Sequence, residues 1–308
     1  MSYSGKFISS LKLIDLIGNT PIVKLGKLSP ANVNVFVKLE YMNPTGSHKD
    51  RIALYMIKDA VERYGLKAGD VVVEASSGNT AISVAFVSKF YGLRPVIVVE
   101  EETSPEKVSM LKLLGAEVVY GSSDPSSPRY YVRVAEALAK EYGGVFLNQY
   151  ENQANVRAHY ETTAREIWQA LSGRISAFVM GVGTGGTITG VGRFLKERLP
   201  EVRVIAVTPR GSKLVGGSGD EYIDGLASKN VYRNFDRSVV DAVIEVTRSE
   251  AIDVAKRLVR EEGIMAGVSA GANVYASLLI ASSLPAGSNV VTIAPDSAFR
   301  YLSILLRS

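Results

Sequence analysis

Short runs of β-branched and other apolar residues alternate with longer segments of helical periodicity along almost the whole chain. The predicted strands cover residues 33–40, 71–75, 95–100, 117–120, 145–147, 177–180, 202–207, 242–246 and 289–293. The predicted helices cover residues 50–64, 80–90, 105–114, 130–141, 156–171, 187–198, 249–261 and 270–282. This order of strand, helix and strand is typical of open parallel sheets with helices on both faces. We therefore predict an α/β protein with two doubly wound domains, each built on an open and mostly parallel sheet.

The composition limits the kinds of site that such a fold can carry. The 308 residues include no cysteine and only two histidines, His48 and His159. We therefore expect no disulfide, no cysteine nucleophile and no metal site of the cysteine or three-histidine kind. The net charge of +4 is spread without basic runs, which disfavours a nucleic-acid partner. No signal peptide or long apolar stretch is recognisable, so we expect a cytoplasmic protein without a membrane span.

A glycine-rich segment, residues 181–187 (GVGTGGT), follows a predicted strand and opens a predicted helix. Backbone N–H groups at a helix start, with little side-chain bulk around them, are typical of a phosphate cradle. The glycines also match the dinucleotide pattern G-x-G-x-x-G, but the next strand ends without the acidic residue that binds an NAD ribose. An NADP-dependent oxidoreductase that uses Arg210 is therefore a remote alternative, and a simple turn is another.

Three further polar segments lie between predicted strands and helices, where open α/β sheets place ligands. They are residues 43–51 (NPTGSHKDR), 74–80 (EASSGNT) and 267–271 (GVSAG). With the glycine-rich segment, they resemble the fold-type II family of pyridoxal-phosphate enzymes, in its cysteine synthase and cystathionine β-synthase branch. The resemblance covers nearly the whole chain and extends to residues 17–21, 104–108, 114–117, 147–152, 295–297 and 300–303.

The resemblance implies that Lys49 binds pyridoxal 5'-phosphate covalently, as an internal aldimine, and serves as the general base. It assigns the cofactor phosphate to Gly183, Thr184, Gly185, Gly186 and Thr187, the 3' oxygen to Asn79 and the pyridine nitrogen to Ser269. A hydroxyl opposite that nitrogen weakens the ring as an electron sink, which favours β-elimination over transamination. Taken alone, Lys49 would be a solvated charge and Ser269 a helix cap.

The resemblance also assigns the substrate carboxylate to four polar residues, Ser76, Ser77, Thr80 and Gln149. Taken alone, the serine-rich stretch is a turn followed by a helix cap. His48 departs from the small apolar residue that is usual before the lysine. The sequence GSHK is instead similar to the tryptophan synthase β-chain, in which the histidine contacts the cofactor phosphate. We hypothesise the same contact for His48. The alternative is a histidine at a helix start whose hydrogen bonds are satisfied within the protein.

The implied function is a β-replacement that makes L-cysteine from O-acetylserine or O-phosphoserine and sulfide through an α-aminoacrylate. Alternatives are cystathionine β-synthase, another β-replacing or β-eliminating enzyme, and a catalytically silent ligand-binding homologue. Arg210 and Lys213 are candidates to bind a phosphate leaving group, or are simply exposed charges. Residues 211–234 form either a substrate lid or a surface connection.

Relatives of this family are commonly homodimers, and we expect the same of this chain. By analogy, a smaller mobile domain at residues 40–147 closes over a cleft. The larger domain, residues 1–39 and 148–308, carries the phosphate loop.

Overall fold

The computed structural model describes residues 11–227 and 229–306. The strands are β1 (Ile22–Lys24), β2 (Asn34–Leu39), β3 (Val71–Ala75), β4 (Arg94–Glu100), β5 (Glu117–Gly121), β6 (Val145–Phe146), β7 (Ala177–Gly181), β8 (Arg203–Pro209), β9 (Ala242–Val246) and β10 (Asn289–Ala294). The helices are α1 (Lys49–Tyr64), α2 (Asn79–Phe90), α3 (Pro105–Leu113), α4 (Tyr131–Glu141), α5 (Gln153–Ala158), α6 (Ala164–Ala170), α7 (Gly186–Lys196), α8 (Arg248–Glu262), α9 (Val268–Ala281) and α10 (Leu302–Leu306).

Within the described residues the strands form two sheets. The larger sheet has the order β1-β2-β10-β7-β8-β9, and the smaller has the order β5-β4-β3-β6. β1 runs antiparallel to β2, and the other strand pairs are parallel. The predicted α/β architecture with two mostly parallel sheets is therefore confirmed. β1 is missing from the prediction because its three residues are too few to show a periodicity.

Both faces of the smaller sheet are covered, as parallel sheets require. Val72 and Ile97 pack with apolar residues of α1 and α2 on one face. Val73 and Val98 point the other way, and pack with residues of α4. Alternate residues of one strand thus pack into two different cores. This explains why these strands are continuous apolar runs in the sequence.

The predicted helix at 156–171 is wrong in one respect, because the structure divides this segment. α5 and α6 are separated by a π-helical turn, His159–Thr163, in which Thr162 Oγ1 donates to the carbonyl of Ala158 at 2.5 Å. α7 crosses this region so closely that a Cβ on Gly190 would lie 2.4 Å from a backbone oxygen of α5. The π-helical turn widens the helix by one residue and directs His159 toward α7.

A buried network of charges fixes the start of α1. Arg51, which is 1% exposed, donates to both carboxylate oxygens of Glu40 and to both of Glu166, each at 2.7 Å. Lys38 Nζ lies 2.6 Å from Glu166 and donates to the carbonyl of Thr20. Burial disfavours the charged forms, but the ion pairs outweigh it, so the pKa of Arg51 is raised and that of Glu40 is lowered. The network joins β2, α1 and α6 and so holds the first turn of α1.

The strands of the smaller sheet all lie within residues 71–146. The domain limits at 40 and 147, and the closing motion, remain predictions. Within the described ranges, no helix is long and apolar enough to cross a membrane.

Candidate active site

A cavity lies at the carboxyl ends of β7 and β10, where the first turns of four helices meet. It is lined by His48, Lys49, Asn79, Met180, Gly181, Gly183, Thr184, Gly185, Thr187, Gly225, Leu226, Ser269, Pro295 and Asp296. The sequence-predicted cofactor residues thus converge on one place. Gly186 does not line the cavity; it is the first residue of α7, between the lining residues Gly185 and Thr187.

Lys49 is the first residue of α1 and is half-buried. Its Nζ lies 2.8 Å from Nε2 of His48. Burial lowers the pKa of Lys49 to about 8, and the carboxylate of Asp296 acts in the opposite direction. An amine with this pKa is partly neutral near neutral pH, which makes it nucleophilic.

His48 presents a hydrogen-bond acceptor to Lys49. Its Nδ1 lies 3.3 Å from the carbonyl oxygen of Pro295, which can only accept, so in a neutral ring Nδ1 carries the proton. Burial, and then the nearby Lys49 and His159, lower the pKa of His48 well below its ordinary value. Nε2 of the neutral ring is then an acceptor. A phosphate oxygen also accepts, so the hypothesised phosphate contact of His48 requires another tautomer or a protonated ring.

Close packing fixes the glycine-rich segment before α7. Gly185 has a φ of +87°, and a Cβ there would lie 2.6 Å from Phe235. A Cβ on Gly183 would lie 2.6 Å from the carbonyl oxygen of Gly225, and one on Gly186 would lie 2.0 Å from Oδ1 of Asn155. Side chains are therefore excluded on several sides. The segment can present its N–H groups, at the positive end of α7, to an anion in the cavity.

Two buried residues that the sequence interpretation missed support the threonines of this segment. Asn155 Nδ2 donates to Thr184 Oγ1 at 3.0 Å. Nε2 of His159 lies 3.1 Å from Thr187 Oγ1, and Nδ1 of the same ring lies 3.0 Å from Thr163. The sequence carries no signal for either role, because both hydrogen bonds join segments that are far apart in the chain.

Asn79 and Ser269 both lie in the first turns of helices that point at the cavity. Asn79 begins α2, and its Nδ2 donates to Oδ2 of Asp296 at 2.7 Å. Ser269 is 4% exposed and lies inside α9, whose N-cap is Gly267. The alternative in which Ser269 only caps this helix is therefore wrong.

The structure groups the predicted carboxylate-binding residues beside the cavity, but they do not line it. Thr80 Oγ1 donates to Oε1 of Gln149 at 2.7 Å, and Nε2 of Gln149 donates to the carbonyl of Ala75. Ser77 Oγ accepts from the backbone N–H of Glu100, and Ser76 Oγ accepts from that of Gly78. All four side chains are thus engaged within the protein.

The long loop at 211–234 forms part of the cavity wall through Gly225 and Leu226. Its end is fixed where Asn234 Nδ2 donates to the carbonyl of Gln149 and its Oδ1 accepts from Gln153. A simple surface connection is therefore the wrong interpretation of this loop.

The two basic residues proposed for a phosphate leaving group lie outside the cavity lining. Arg210 Nη2 lies 3.8 Å from Glu250, whose side chain accepts from the backbone N–H of Thr247, the N-cap of α8. Lys213 lies in a short helical turn of the loop.

The arrangement fits pyridoxal phosphate. A lysine with a lowered pKa lines the same cavity as a glycine-rich segment whose packing leaves no room for side chains. A model of the family described as "Pyridoxal-phosphate dependent enzyme" matches residues 13–296. The chain belongs to this family. Its cofactor is pyridoxal phosphate, and the NADP-dependent alternative is wrong.

Relatives place this pyridoxal-phosphate enzyme in the cysteine synthase and cystathionine β-synthase branch. It is 39% identical to a cysteine synthase of Staphylococcus aureus over 300 residues, 96% of each chain. It is 36% identical to an O-acetylserine dependent cystathionine beta-synthase of Bacillus subtilis over 293 residues, 94% of this chain and 95% of the relative. The crystal structure of an O-ureido-L-serine synthase superimposes with a TM-score of 0.90 at 40% identity, covering 96% of this chain and 94% of that one.

Proposed function

We propose that this enzyme makes L-cysteine by replacing the β-substituent of an activated serine, O-acetylserine or O-phosphoserine, with sulfide. The observation that carries the proposal is the convergence of Lys49, Asn79, Ser269 and the glycine-rich segment on one cavity. The similarity to a cysteine synthase over 96% of both chains supports it.

Pyridoxal phosphate, when bound, supplies an electron sink for the α-carbon of an amino acid. Lys49 would hold the cofactor carbonyl and, once released, take the α-proton on Nζ and later return it. The N–H groups and threonine hydroxyls at the start of α7 would bind the phosphate, and Asn79 the 3' oxygen. Ser269 would face the pyridine nitrogen without a charge, so elimination of the β-substituent is favoured over transamination.

The substrate carboxylate would bind at the start of α2, through Ser76, Ser77, Thr80 and Gln149. The bond between Thr80 and Gln149 would then be exchanged for bonds to the carboxylate. The N-terminal end of a helix is suited to this charge. Closure of residues 40–147 over the cleft would bring these groups to the substrate and exclude water.

The test is to add O-acetylserine, O-phosphoserine and serine separately to the holoenzyme without sulfide, while recording the cofactor absorbance. Sulfide is then added and cysteine is quantified. We expect the spectrum to change, and cysteine to form, with one of the activated serines. In a parallel reaction, homocysteine replaces sulfide. Formation of cystathionine there, with no cysteine from sulfide, would contradict the proposal and favour cystathionine β-synthase activity. A cofactor spectrum that responds to no amino acid would favour a silent homologue.

A further inference from the structure

Asp296 is a buried carboxylate in the cavity wall to which the proposed function gives no role. It follows β10 and is 3% exposed. Its Oδ2 accepts from Asn79 Nδ2 at 2.7 Å and from the hydroxyl of Tyr301 at 2.6 Å. Its Oδ1 is buried and has no hydrogen-bond partner within the described part of the chain.

A buried carboxylate oxygen without a donor is costly, so it needs an explanation. A Cβ on Gly267 would lie 2.3 Å from Oδ1, so glycine at this position leaves room at the oxygen. Asp296 lines the same cavity as Lys49, and its charge acts on that amine. The protonated amino group of Lys49 has three N–H donors, and Nε2 of His48 accepts a hydrogen bond from only one of them.

The hydrogen bonds at Oδ2 also determine how Asn79 is oriented. A carboxylate only accepts, so Asn79 must direct its Nδ2 toward Asp296 and cannot be flipped without losing the bond. The second N–H of the Asn79 carboxamide is not used in the bond to Asp296. The residue expected to bind the cofactor's 3' oxygen is therefore held in one orientation by Asp296.

We propose that Asp296 is a positioning residue, which orients the carboxamide of Asn79 through Oδ2 and, by its charge in the wall of the shared cavity, stabilises the protonated amino group of Lys49. The proposal rests on the proposed function only in taking Lys49 as the reactive amine. A purely structural Asp296 would tie Asn79 to Tyr301 and leave the titration of Lys49 unchanged.

Other charged and titratable groups face the same two side chains. His48 contacts Lys49 directly, and His159 lies 5.8 Å from His48, measured between ring centroids. Arg300 and Asp224 act on Asp296 with opposite signs. Variants must therefore leave these residues unchanged, so that a shift in titration is due to Asp296 alone.

The test measures how fast the full-length protein, freed of cofactor, takes up pyridoxal phosphate at different pH values. Uptake needs the neutral amine of Lys49, so the rate rises as that group loses its proton. For the wild type, we expect a midpoint near the Lys49 pKa of about 8. In Asp296→Asn the stabilising charge is lost, and we expect the midpoint to fall by about one pH unit. Tyr301→Phe removes the other bond to Oδ2 but keeps the charge, so we expect its midpoint to be unchanged.

An unchanged midpoint in Asp296→Asn would overturn the proposal, and so would an equal shift in Tyr301→Phe. If Asp296→Asn does not fold, as judged by thermal melting, Asp296→Ser provides the same comparison. Cysteine formation is assayed separately. Failure of the proposed function would therefore leave this result intact.

Discussion

Lys49 and Arg51 lie two residues apart in the first turn of α1, yet their surroundings are opposite. Arg51 is enclosed by Glu40 and Glu166, and these ion pairs raise its pKa. Lys49 faces a cavity where, among the described residues, it has no close ionic partner, so burial lowers its pKa to about 8 and the charge of Asp296 only partly opposes this.

The difference shows that charge compensation, and not burial alone, separates a structural cation from a reactive one. Both side chains lose water, but the pairs made by Arg51 replace the lost solvation. The network also fixes the first turn of the helix, so Lys49 is presented from a rigid support. Four substitutions test this comparison and the cofactor site around Lys49.

The largest effect is expected from Lys49→Ala. Loss of both the cofactor attachment and the base should reduce turnover by about a thousandfold or more, measured as cysteine formation. The control is Lys112→Ala, which removes an exposed lysine of α3. Retention of activity within about tenfold in Lys49→Ala would show that the lysine of the cavity is not the reactive one.

Arg51→Met should cost about 3–5 kcal/mol of unfolding free energy, because Glu40 is left buried without its partner. Ion pairing holds the pKa of Glu40 below its ordinary 4.5. Its contribution is therefore complete above pH 4.5 and is lost as the pH falls below that value. Denaturant unfolding at several pH values measures both effects.

The control for Arg51 is Arg63→Met on the same helix. Arg63 is 61% exposed and pairs with Asp59, so its removal should cost about 1 kcal/mol or less. Equal losses in the two variants would refute the structural role given to Arg51.

Gly186→Ala should weaken binding of pyridoxal phosphate by about ten- to a hundredfold, because the new methyl group overlaps Oδ1 of the buried Asn155. Equilibrium titration of cofactor absorbance measures this. In Gly26→Ala, the nearest atom, an oxygen of Glu262, lies at an ordinary 3.6 Å, so we expect no change. If Gly186→Ala binds as tightly as the wild type, the cradle is not fixed by this contact.

The smallest effect is expected from His48→Val. If His48 contacts the cofactor phosphate, losing one hydrogen bond should lower cofactor affinity about fivefold, as measured by the same titration. An unchanged affinity for pyridoxal phosphate would contradict that hypothesis. It would leave Nε2 of His48 as an acceptor for Lys49 alone, as the structure has it.

The fold was largely predictable, because runs of β-branched residues and apolar residues at helical spacing follow directly from which positions are buried. Val72 and Val73 point to opposite cores, so a strand covered on both faces appears as a continuous apolar run. The π-helical turn at His159–Thr163 was not predictable. It depends on the close approach of α7 at Gly190, which is a tertiary contact with no local pattern.

The candidate site was predictable where segments follow strands and open helices, as at Lys49 and at the glycine-rich segment. The supporting residues were not. Asn155 and His159 act through hydrogen bonds to Thr184 and Thr187, and nothing in their spacing indicates those partners. Asp296 lies in one of the segments that carry the family resemblance, but its role depends on contacts that only the folded chain shows.

The central claim is that Lys49 is the amine that carries the cofactor. The direct measurement is borohydride reduction of the holoenzyme, followed by mass spectrometry of its peptides. We predict a pyridoxyl-phosphate label on Lys49 in wild type and no labelled lysine in Lys49→Ala. A label on any other lysine of the wild type, or a label that persists in Lys49→Ala, would contradict the account.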